Sequence, residues 1–252
     1  RKQMTTAIGE GVFPIEINGT FDDCQNIVKA LFNDLSFNDE VNLGAINSIN
    51  WGRIAAQIVY YFTSFKLIKY GPVSYSVPTG NFGDILAGWV AKKMGLPIDN
   101  LLIATNENDI LARALENGIY SIDKAKATMS PSMDIQISSN FERLLFEAYG
   151  RDTSKIKNLM NNLKENKEFQ IDSRALKFIK EDFLAKSITE KATKDCIADV
   201  YKKSGYILDP HSAVGYAATD ILSSDGSIIT LGTAHPSKFP NAVKSSLGII
   251  PD

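Results

Sequence analysis

The stretch Val73 to Leu96, VSYSVPTGNFGDILAGWVAKKMGL, decides the fold because it predicts a strand, a glycine-rich turn and a helix in immediate succession. Apolar residues alternate with serines up to Pro78, which is the period-2 pattern of a strand that a proline then ends. From Asp84 the apolar residues recur at helical spacing, and Gly95 stops the helix. This unit is the building block of a layered α/β fold.

The turn between this strand and helix, Thr79-Gly80-Asn81-Phe82-Gly83, offers a place for an anion. Unpaired backbone N–H groups and the positive end of the helix dipole would point to one spot there, which suits a phosphate. The turn has neither the Gly-Lys-Ser/Thr of a Walker loop nor the three-glycine spacing of a dinucleotide site. Taken alone, the glycines could also serve only a tight turn, and both interpretations stay open.

Composition limits the classes of protein to which the chain can belong. With 252 residues and 44% hydrophobic content, it has material for a substantial core. A net charge of −2 from 27 basic and 29 acidic residues predicts no nucleic-acid partner. The apolar runs are too short for a bilayer and no signal peptide is evident, so we expect a cytoplasmic protein without a membrane partner. Two separate cysteines and two histidines indicate no metal site.

Strand and helix patterns alternate through the first part of the chain and predict a doubly wound, mostly parallel α/β sheet. The predicted strands are Val12–Ile17, Leu43–Ile46, Val73–Val77 and Asn100–Thr105. Ligands of such sheets gather at the carboxyl ends of the strands. The glycine-rich turn follows one of these ends.

The second part of the chain changes character after the turn-rich segment 128–134. Four helical patterns in a row predict a helical insertion over Ser138–Lys203, and a last strand, Ile228–Gly232, returns to the sheet. We therefore expect an α/β domain over residues 1–130, a helical subdomain over 131–205, and a return to the α/β domain over 206–252. His211 and His235 each stand beside a proline in a turn, where a structural hydrogen-bonding role is favoured over that of a base.

A second polar group, Asn47, Ser48, Asn50 and Arg53, stands at the entrance of a helix predicted over Trp51–Leu67. Amide and hydroxyl donors with one guanidinium would suit a second anion. Ordinary helix capping with a surface arginine explains the same residues, and from the residues alone it is the favoured interpretation.

Seven stretches together resemble the threonine synthases of the long fungal and enterobacterial type, and they run in the order of that family through nearly the whole chain. They are NGTFDDCQ (18–25), NSINWGRIAAQIVYYF (47–62), VPTGNFGDILAGWVAKKMGLPI (77–98), ATNENDIL (104–111), SPSMDIQISSNFERLLFE (130–147), DPHSAVG (209–215) and TAHPSKFP (233–240). The resemblance implies the tryptophan-synthase-β fold, fold type II of the pyridoxal-phosphate enzymes.

The resemblance also implies roles for individual residues. The phosphate of pyridoxal 5′-phosphate would be surrounded by Gly80, Asn81, Phe82, Gly83 and Asp84, and Thr233 would face the pyridine nitrogen. The phosphate of the substrate, O-phosphohomoserine, would be held by Asn47, Ser48, Arg53 and Asn81, which reverses the capping interpretation of Arg53. The implied reaction converts O-phosphohomoserine and water into threonine and phosphate.

The chain departs from the family pattern in one respect, since no lysine in it stands in the Schiff-base context of these enzymes. We therefore expect a carboxyl-terminal portion that contains no catalytic residue, is inactive alone, and has the missing amino-terminal part of the same enzyme as its partner. Two other functions stay open. One is another fold-type-II lyase, such as a serine or threonine dehydratase, and the other is a non-catalytic module that binds a phosphate ligand.

Overall fold

The structure, a computed structural model, describes residues 9–19, 21–45, 50–68, 71–222 and 226–251. The chain divides into two compact units, Arg1–Ala45 and Ile46–Asp252. The first unit contains helices α1 (Phe21–Asn33) and α2 (Leu35–Val41). Asp34 caps α2, because its side chain accepts a hydrogen bond of 3.1 Å from the N–H of Phe37.

The prediction of two strands in this first unit is wrong for the residues that the structure describes. Residues 12–17 and 43–45 are irregular, and Ile46 lies outside the described residues. Phe13 and Ile15, which should have faced a core, are each 81% exposed. A segment with an alternating apolar pattern is stable as a strand only when a neighbouring strand pairs with it. The described residues of this unit contain no such strand.

The second unit is built on a four-stranded sheet in the order β5-β2-β1-β6. Its strands, all paired in parallel, are β1 (Val73–Pro78), β2 (Ile98–Thr105), β5 (Phe183–Ser187) and β6 (Ser227–Thr230). A short antiparallel pair, β3 (Ile119–Ser121) and β4 (Glu168–Gln170), forms a separate sheet. The prediction of a mostly parallel sheet is confirmed.

Helices cover both faces of this sheet. They are α3 (Trp51–Phe65), α4 (Gly83–Lys93), α5 (Ile110–Asn117), α6 (Phe141–Ala148), α7 (Thr153–Asn166), α8 (Ser173–Lys180), α9 (Glu190–Ser204), α10 (Pro210–Ala217) and α11 (Pro240–Leu247). Alternate residues of β2 belong to different cores: Leu101 and Ile103 pack with α4, α5 and α6, whereas Leu102 and Ala104 pack with α10. This is the doubly wound arrangement that the sequence predicts.

Small residues let helices approach this sheet closely. A Cβ on Gly215 of α10 would come within 2.9 Å of the Pro78 ring of β1, and a Cβ on Gly88 of α4 within 2.9 Å of the Leu101 side chain of β2. The serines of β1 face α10, and the Ser76 hydroxyl donates a 2.6 Å hydrogen bond to the carbonyl of Gly215. The alternation of serine with apolar residues in β1 therefore reflects a close contact on one face and a deep core on the other.

The segment expected to be a helical insertion is helical only in part. The sequence predicts a helix that ends at Phe183 and a polar link after it, but Phe183–Ser187 is the strand β5, which pairs with β2 from Leu101↔Phe183 to Thr105↔Ser187. A short apolar run does not distinguish a buried strand from a helix end. The contacts of β5 with β2 therefore attach this segment to the main sheet, while the proposed boundaries at 130 and 205 stay a prediction.

Asp182, immediately before β5, ties the strand to α4. Its carboxylate accepts a hydrogen bond from Trp89 Nε1 at 2.9 Å and forms ion pairs with Lys92 at 2.7 Å and Lys93 at 2.9 Å. Burial raises the pKa of Asp182, but the two ammonium groups outweigh it, so the pKa is lowered overall. The two lysines and Trp89 thus attach the start of the strand to α4.

Candidate functional site

A cavity of about 510 Å³ lies where the carboxyl ends of β1 and β6 meet the amino-terminal end of α4. Its walls are the loop after β1 (79–84), the loop after β6 (231–233), a short 3-10 turn with Ser132 and Met133, and His211 at the start of α10. Arg53, Gln57 and Tyr60 of α3 complete the lining. A position at the carboxyl ends of parallel strands is the one expected for a ligand site in this fold.

The backbone of the glycine-rich loop is held in a defined shape by Phe82. This residue has a left-handed conformation with φ of 65°, which is uncommon for a residue other than glycine. Its buried ring contacts Phe141 and Phe183, with centroid distances of 5.3 and 5.7 Å. The aromatic contacts therefore stabilise a turn that the backbone alone would disfavour.

Two carbonyl groups of this loop, those of Gly80 and Asn81, accept hydrogen bonds from segment 138–140. Ser138 Oγ donates a hydrogen bond of 2.7 Å to the Gly80 carbonyl. Asn140 donates two to the Asn81 carbonyl, from its backbone N–H at 3.1 Å and from Nδ2 at 2.9 Å. Among the described residues, no acceptor engages the N–H groups of Gly80 through Gly83. The loop thus presents donors at the amino-terminal end of α4, as an anion site requires.

Asp84, in the first turn of α4, is the acidic side chain of this cavity lining. Burial raises its pKa to about 6, although the hydrogen bond from Tyr61 and the charge of Arg53 lower it. The Tyr61 hydroxyl lies 2.9 Å from the Asp84 carbonyl oxygen and 3.4 Å from Oδ1. The side chain of Asp84 is therefore engaged with α3.

Thr233, which also lines the cavity, follows β6, and its backbone N–H donates a 3.2 Å hydrogen bond to Ser212 Oγ. His211 Nε2 accepts from the N–H of Ser132 at 3.2 Å, and its Nδ1 lies 3.1 Å from Asp209 Oδ1. The hydrogen bonds predicted for His211 are therefore present. His235 behaves similarly, because its Nδ1 accepts from the N–H of Ser237 at 3.3 Å.

One cavity is lined by the described residues to which the resemblance assigns roles: Gly80, Asn81, Phe82, Gly83, Asp84, Arg53 and Thr233. Asn50, of the same polar group as Arg53, is not among the lining residues, and its side chain caps α3 by accepting from the Gly52 N–H at 2.8 Å. Asn47 and Ser48 lie outside the described residues. The sequence interpretation missed Gln57 and Tyr60, whose positions about one and two helical turns after Arg53 were the available signal. It also missed Ser132, for which the sequence carries no comparable signal.

Neither a metal-binding cluster nor a membrane-spanning helix occurs in the part of the chain that the structure describes. No group of three or more histidine, cysteine, aspartate or glutamate side chains there could hold a metal ion. None of the helices in those residues has both the length and the apolar character needed to cross a membrane.

Comparison with known proteins identifies relatives over nearly the whole chain. Residues 212–252 match the family model described as threonine synthase, C-terminal. The chain is 49% identical over 269 residues to threonine synthase of Saccharomyces cerevisiae, a match that covers 98% of this chain and 52% of the yeast protein. A crystal structure of PLP-bound threonine synthase from Brucella melitensis superposes with a TM-score of 0.87 at 53% identity, covering 95% of this chain and 52% of that one.

A more distant solved structure shows how widely the fold is shared. Threonine deaminase isoform 2 from Solanum lycopersicum, in its processed form, has a TM-score of 0.57 at 14% identity, covering 93% of this chain and 56% of that one. The expected α/β fold of the fold-type-II kind is confirmed. The chain spans about half the length of the curated relatives it matches. Along nearly all of its length, the chain is therefore related to the carboxyl-terminal portion of the threonine synthases.

Proposed function

We propose that this chain supplies part of the active site of a threonine synthase, which converts O-phospho-L-homoserine and water into L-threonine and inorganic phosphate in amino-acid biosynthesis. The observation that carries the proposal is the convergence of the Gly80–Asp84 loop, Arg53 and Thr233 on one cavity. A neighbouring structure at 53% identity is a PLP-bound threonine synthase. The cofactor proposed here is accordingly pyridoxal 5′-phosphate.

The glycine-rich loop fits the phosphate of this cofactor. The N–H groups of Gly80 through Gly83 meet no acceptor among the described residues, and they stand at the amino-terminal end of α4. The absence of a side chain at Gly80 keeps the loop against the Ser132 carbonyl, where a Cβ would lie only 2.8 Å from the oxygen. When bound, pyridoxal phosphate supplies an electron sink for charge that develops beside the substrate amino group.

Thr233 is proposed to orient the cofactor ring. A hydroxyl is a neutral hydrogen-bond partner for the pyridine nitrogen, so it moderates the electron sink without fixing a positive charge on the ring. The bond from the Thr233 N–H to Ser212 supports this role, because it fixes the backbone from which the hydroxyl projects.

Arg53 is proposed to bind the phosphate of the substrate, together with Asn81, Asn47 and Ser48. Its guanidinium lines the cavity from α3, and a guanidinium can bind a phosphate through two parallel hydrogen bonds. The same charge suits inorganic phosphate, the product that must leave as an anion. Asp84 attracts the guanidinium of Arg53 and so helps to keep it beside the cavity.

The lysine that handles protons in this reaction is proposed to come from the rest of the enzyme. No lysine is among the cavity residues in the described part of the chain. We therefore propose that the partner of this chain is the amino-terminal part of the same enzyme and that the chain does not turn over alone. We also propose a cytoplasmic location, as suits a biosynthetic enzyme acting on a small phosphorylated amino acid.

The test is a product assay on the complete protein with pyridoxal phosphate and O-phospho-L-homoserine. We expect threonine and inorganic phosphate to appear in equal amounts. Serine and threonine are the control substrates, since a dehydratase would release ammonia and a 2-oxo acid from them. Ammonia release without phosphate release would replace our proposal with the dehydratase function. Binding of the phosphorylated substrate without any product would indicate a non-catalytic module.

A further inference from the structure

A single buried carboxylate connects two segments that line the candidate site, the 3-10 turn with Ser132 and the loop with Thr233. Asp209, only 2% exposed, precedes α10 and caps it by accepting from the N–H groups of His211 at 2.9 Å and Ser212 at 3.3 Å. It also contacts both side chains: His211 Nδ1 lies 3.1 Å from Oδ1, and Ser212 Oγ donates a short hydrogen bond to Oδ2. Burial raises the pKa of Asp209, but the bonds from His211 and Ser212 outweigh it and lower the pKa overall. The carboxylate is therefore ionised and can only accept.

Asp209 decides which atoms donate along the first arm, the chain of hydrogen bonds that runs from Asp209 through His211 to Ser132. Since Asp209 only accepts, His211 Nδ1 must carry the proton. The Nε2 of a neutral imidazole then has a free lone pair, and it accepts from the Ser132 N–H at 3.2 Å. Ser132, 79 residues away in sequence, lies on the cavity wall against Gly80. The His211 ring is further held by Phe239, at a centroid distance of 4.8 Å.

The second arm is the chain of hydrogen bonds from Asp209 through Ser212 to Thr233, and here too Asp209 decides which atoms donate. Its hydroxyl proton is committed to Asp209, so its oxygen has only lone pairs for other partners. That oxygen accepts from the Thr233 N–H at 3.2 Å. Thr233 is 21 residues away in sequence and lines the same cavity as the glycine-rich loop. One carboxylate thus orients the backbones of two separate loops.

We propose that Asp209 is a positioning residue of the site, which acts through His211 on Ser132 and through Ser212 on Thr233. The proposal rests on the proposed function in one respect, namely that the loops it aligns are the ones that seat and orient pyridoxal phosphate. Asp209 itself does not line the cavity. Its effect is to keep the distance and orientation of the two segments fixed.

An amide cannot reproduce this arrangement. In Asp209→Asn, one of the two side-chain acceptors becomes an NH₂ donor. If the NH₂ faces His211, Nδ1 must become an acceptor, and the protonated Nε2 then opposes the Ser132 N–H. If it faces Ser212, the hydroxyl proton loses its acceptor in a buried position. In either case at least one arm is weakened.

The experiment is residue-resolved amide hydrogen exchange on the complete protein. In Asp209→Asn we expect exchange to become roughly tenfold faster at Ser132, at Thr233 or at both, which corresponds to the loss of about one hydrogen bond. Asp220→Asn is the matched control, because it makes the same chemical change in an exposed ion pair with Lys186. It should leave both amides unchanged. An effect confined to the first turn of α10 would mean that Asp209 is only a helix cap and would overturn the proposal.

A second variant separates the arms and remains informative if Asp209→Asn does not fold. Ser212→Ala should speed exchange at Thr233 and leave Ser132 unchanged, because the His211 arm stays intact. No change at Thr233 in a folded Ser212→Ala protein would contradict the proposal.

Cofactor binding then connects the network to function. In both variants we expect the dissociation constant for pyridoxal phosphate to rise, and in Asp220→Asn to stay constant. If the unaltered complete protein bound no pyridoxal phosphate, the proposed function would fail. The exchange measurements would still decide, by themselves, whether Asp209 couples the two loops.

Discussion

At the scale of single residues, the site depends on how Asp84 and Arg53 share one neighbourhood. Asp84 is the acidic residue in a cavity proposed to bind two phosphates, and burial raises its pKa to about 6. An ionised carboxylate there would repel an anion, but the Tyr61 hydroxyl and the guanidinium of Arg53 draw its charge toward α3. The two residues are therefore best tested separately.

Asp84→Asn should remove a pH-dependent penalty on folding. Because folding raises the pKa of Asp84 from 3.8 to about 6, the folded protein binds this proton more tightly than the unfolded chain does. The stability that results is fully present below pH 3.8 and is lost as the pH rises through 6. Relative to Asp84→Asn, the unaltered protein should thus lose roughly 2 kcal/mol of stability across this interval. Thermal unfolding of the complete protein between pH 4 and about 7 measures this difference.

Tyr61→Phe provides the matched comparison for this measurement. It keeps the buried ring and removes the hydroxyl that lowers the pKa of Asp84, so the pH-dependent loss should move to higher pH. A difference between the unaltered protein and Asp84→Asn that did not vary with pH would contradict the assignment of a raised pKa.

Arg53→Ala should mainly weaken the capture of the phosphorylated substrate. Losing charge-assisted hydrogen bonds to a phosphate is expected to lower kcat/KM by roughly 10- to 100-fold. The kcat/KM of Arg53→Lys should lie between those of Arg53→Ala and the unaltered protein, because lysine keeps the charge but not the paired hydrogen bonds. Steady-state phosphate release by the complete protein gives these values. Arg174→Ala, which removes an exposed arginine of α8 outside the cavity, is the control. An unchanged kcat/KM in Arg53→Ala would remove Arg53 from the site.

At the scale of elements, the glycine-rich loop owes its shape to partners that are distant in sequence. Ser138 and Asn140 bind its carbonyl groups, and the Phe82 ring packs against Phe141 and Phe183. The loop is thereby fixed while its N–H groups have no acceptor among the described residues, so they are available to a ligand. Such preorganised donors bind an anion without a further cost for ordering the loop.

Gly80→Ala tests how tightly this loop must fit. Its new Cβ would lie 2.8 Å from the Ser132 carbonyl oxygen, a backbone atom, so the loop or the 3-10 turn must shift. We expect pyridoxal phosphate to bind at least roughly tenfold more weakly, in line with an overpacking strain of about 1–3 kcal/mol. Equilibrium titration of the cofactor measures this.

Gly226→Ala is the control for the loop substitution, because its nearest atom, the Pro72 carbonyl oxygen, would be 3.9 Å from the new Cβ. It should leave cofactor affinity unchanged. Equal affinity in Gly80→Ala and the unaltered protein would show that the loop does not contact the cofactor phosphate.

The sequence predicts those elements whose signal is local and strong. The succession of β1, glycine-rich turn and α4 follows from residue spacing within a single stretch, and the structure has it with only small shifts at its ends. The strand β5 was missed because Phe183, Leu184 and Ala185 form an apolar run too short to reveal its period. Its identity is decided by pairing with β2 and by the ion pairs of Asp182, which are contacts across the chain.

At the scale of the whole molecule, the sheet gathers the candidate site at the carboxyl ends of β1 and β6. The rule that ligands bind there placed the glycine-rich turn correctly, since the turn directly follows a strand. The same rule could not supply Ser132 or the hydrogen bonds of Asp209, because these depend on how loops from distant parts of the chain meet. The pattern of polar residues raised Arg53 as a candidate but favoured helix capping. The family resemblance reversed that preference and also pointed to Thr233.

The most direct test of the central claim is a crystal structure of the complete protein with pyridoxal 5′-phosphate. We predict that the cofactor phosphate accepts hydrogen bonds from the N–H groups of the Gly80–Gly83 loop, and that the Thr233 hydroxyl lies within hydrogen-bonding distance of the pyridine nitrogen. A cofactor phosphate bound away from this loop, or a ring nitrogen that faces a different residue, would contradict the account.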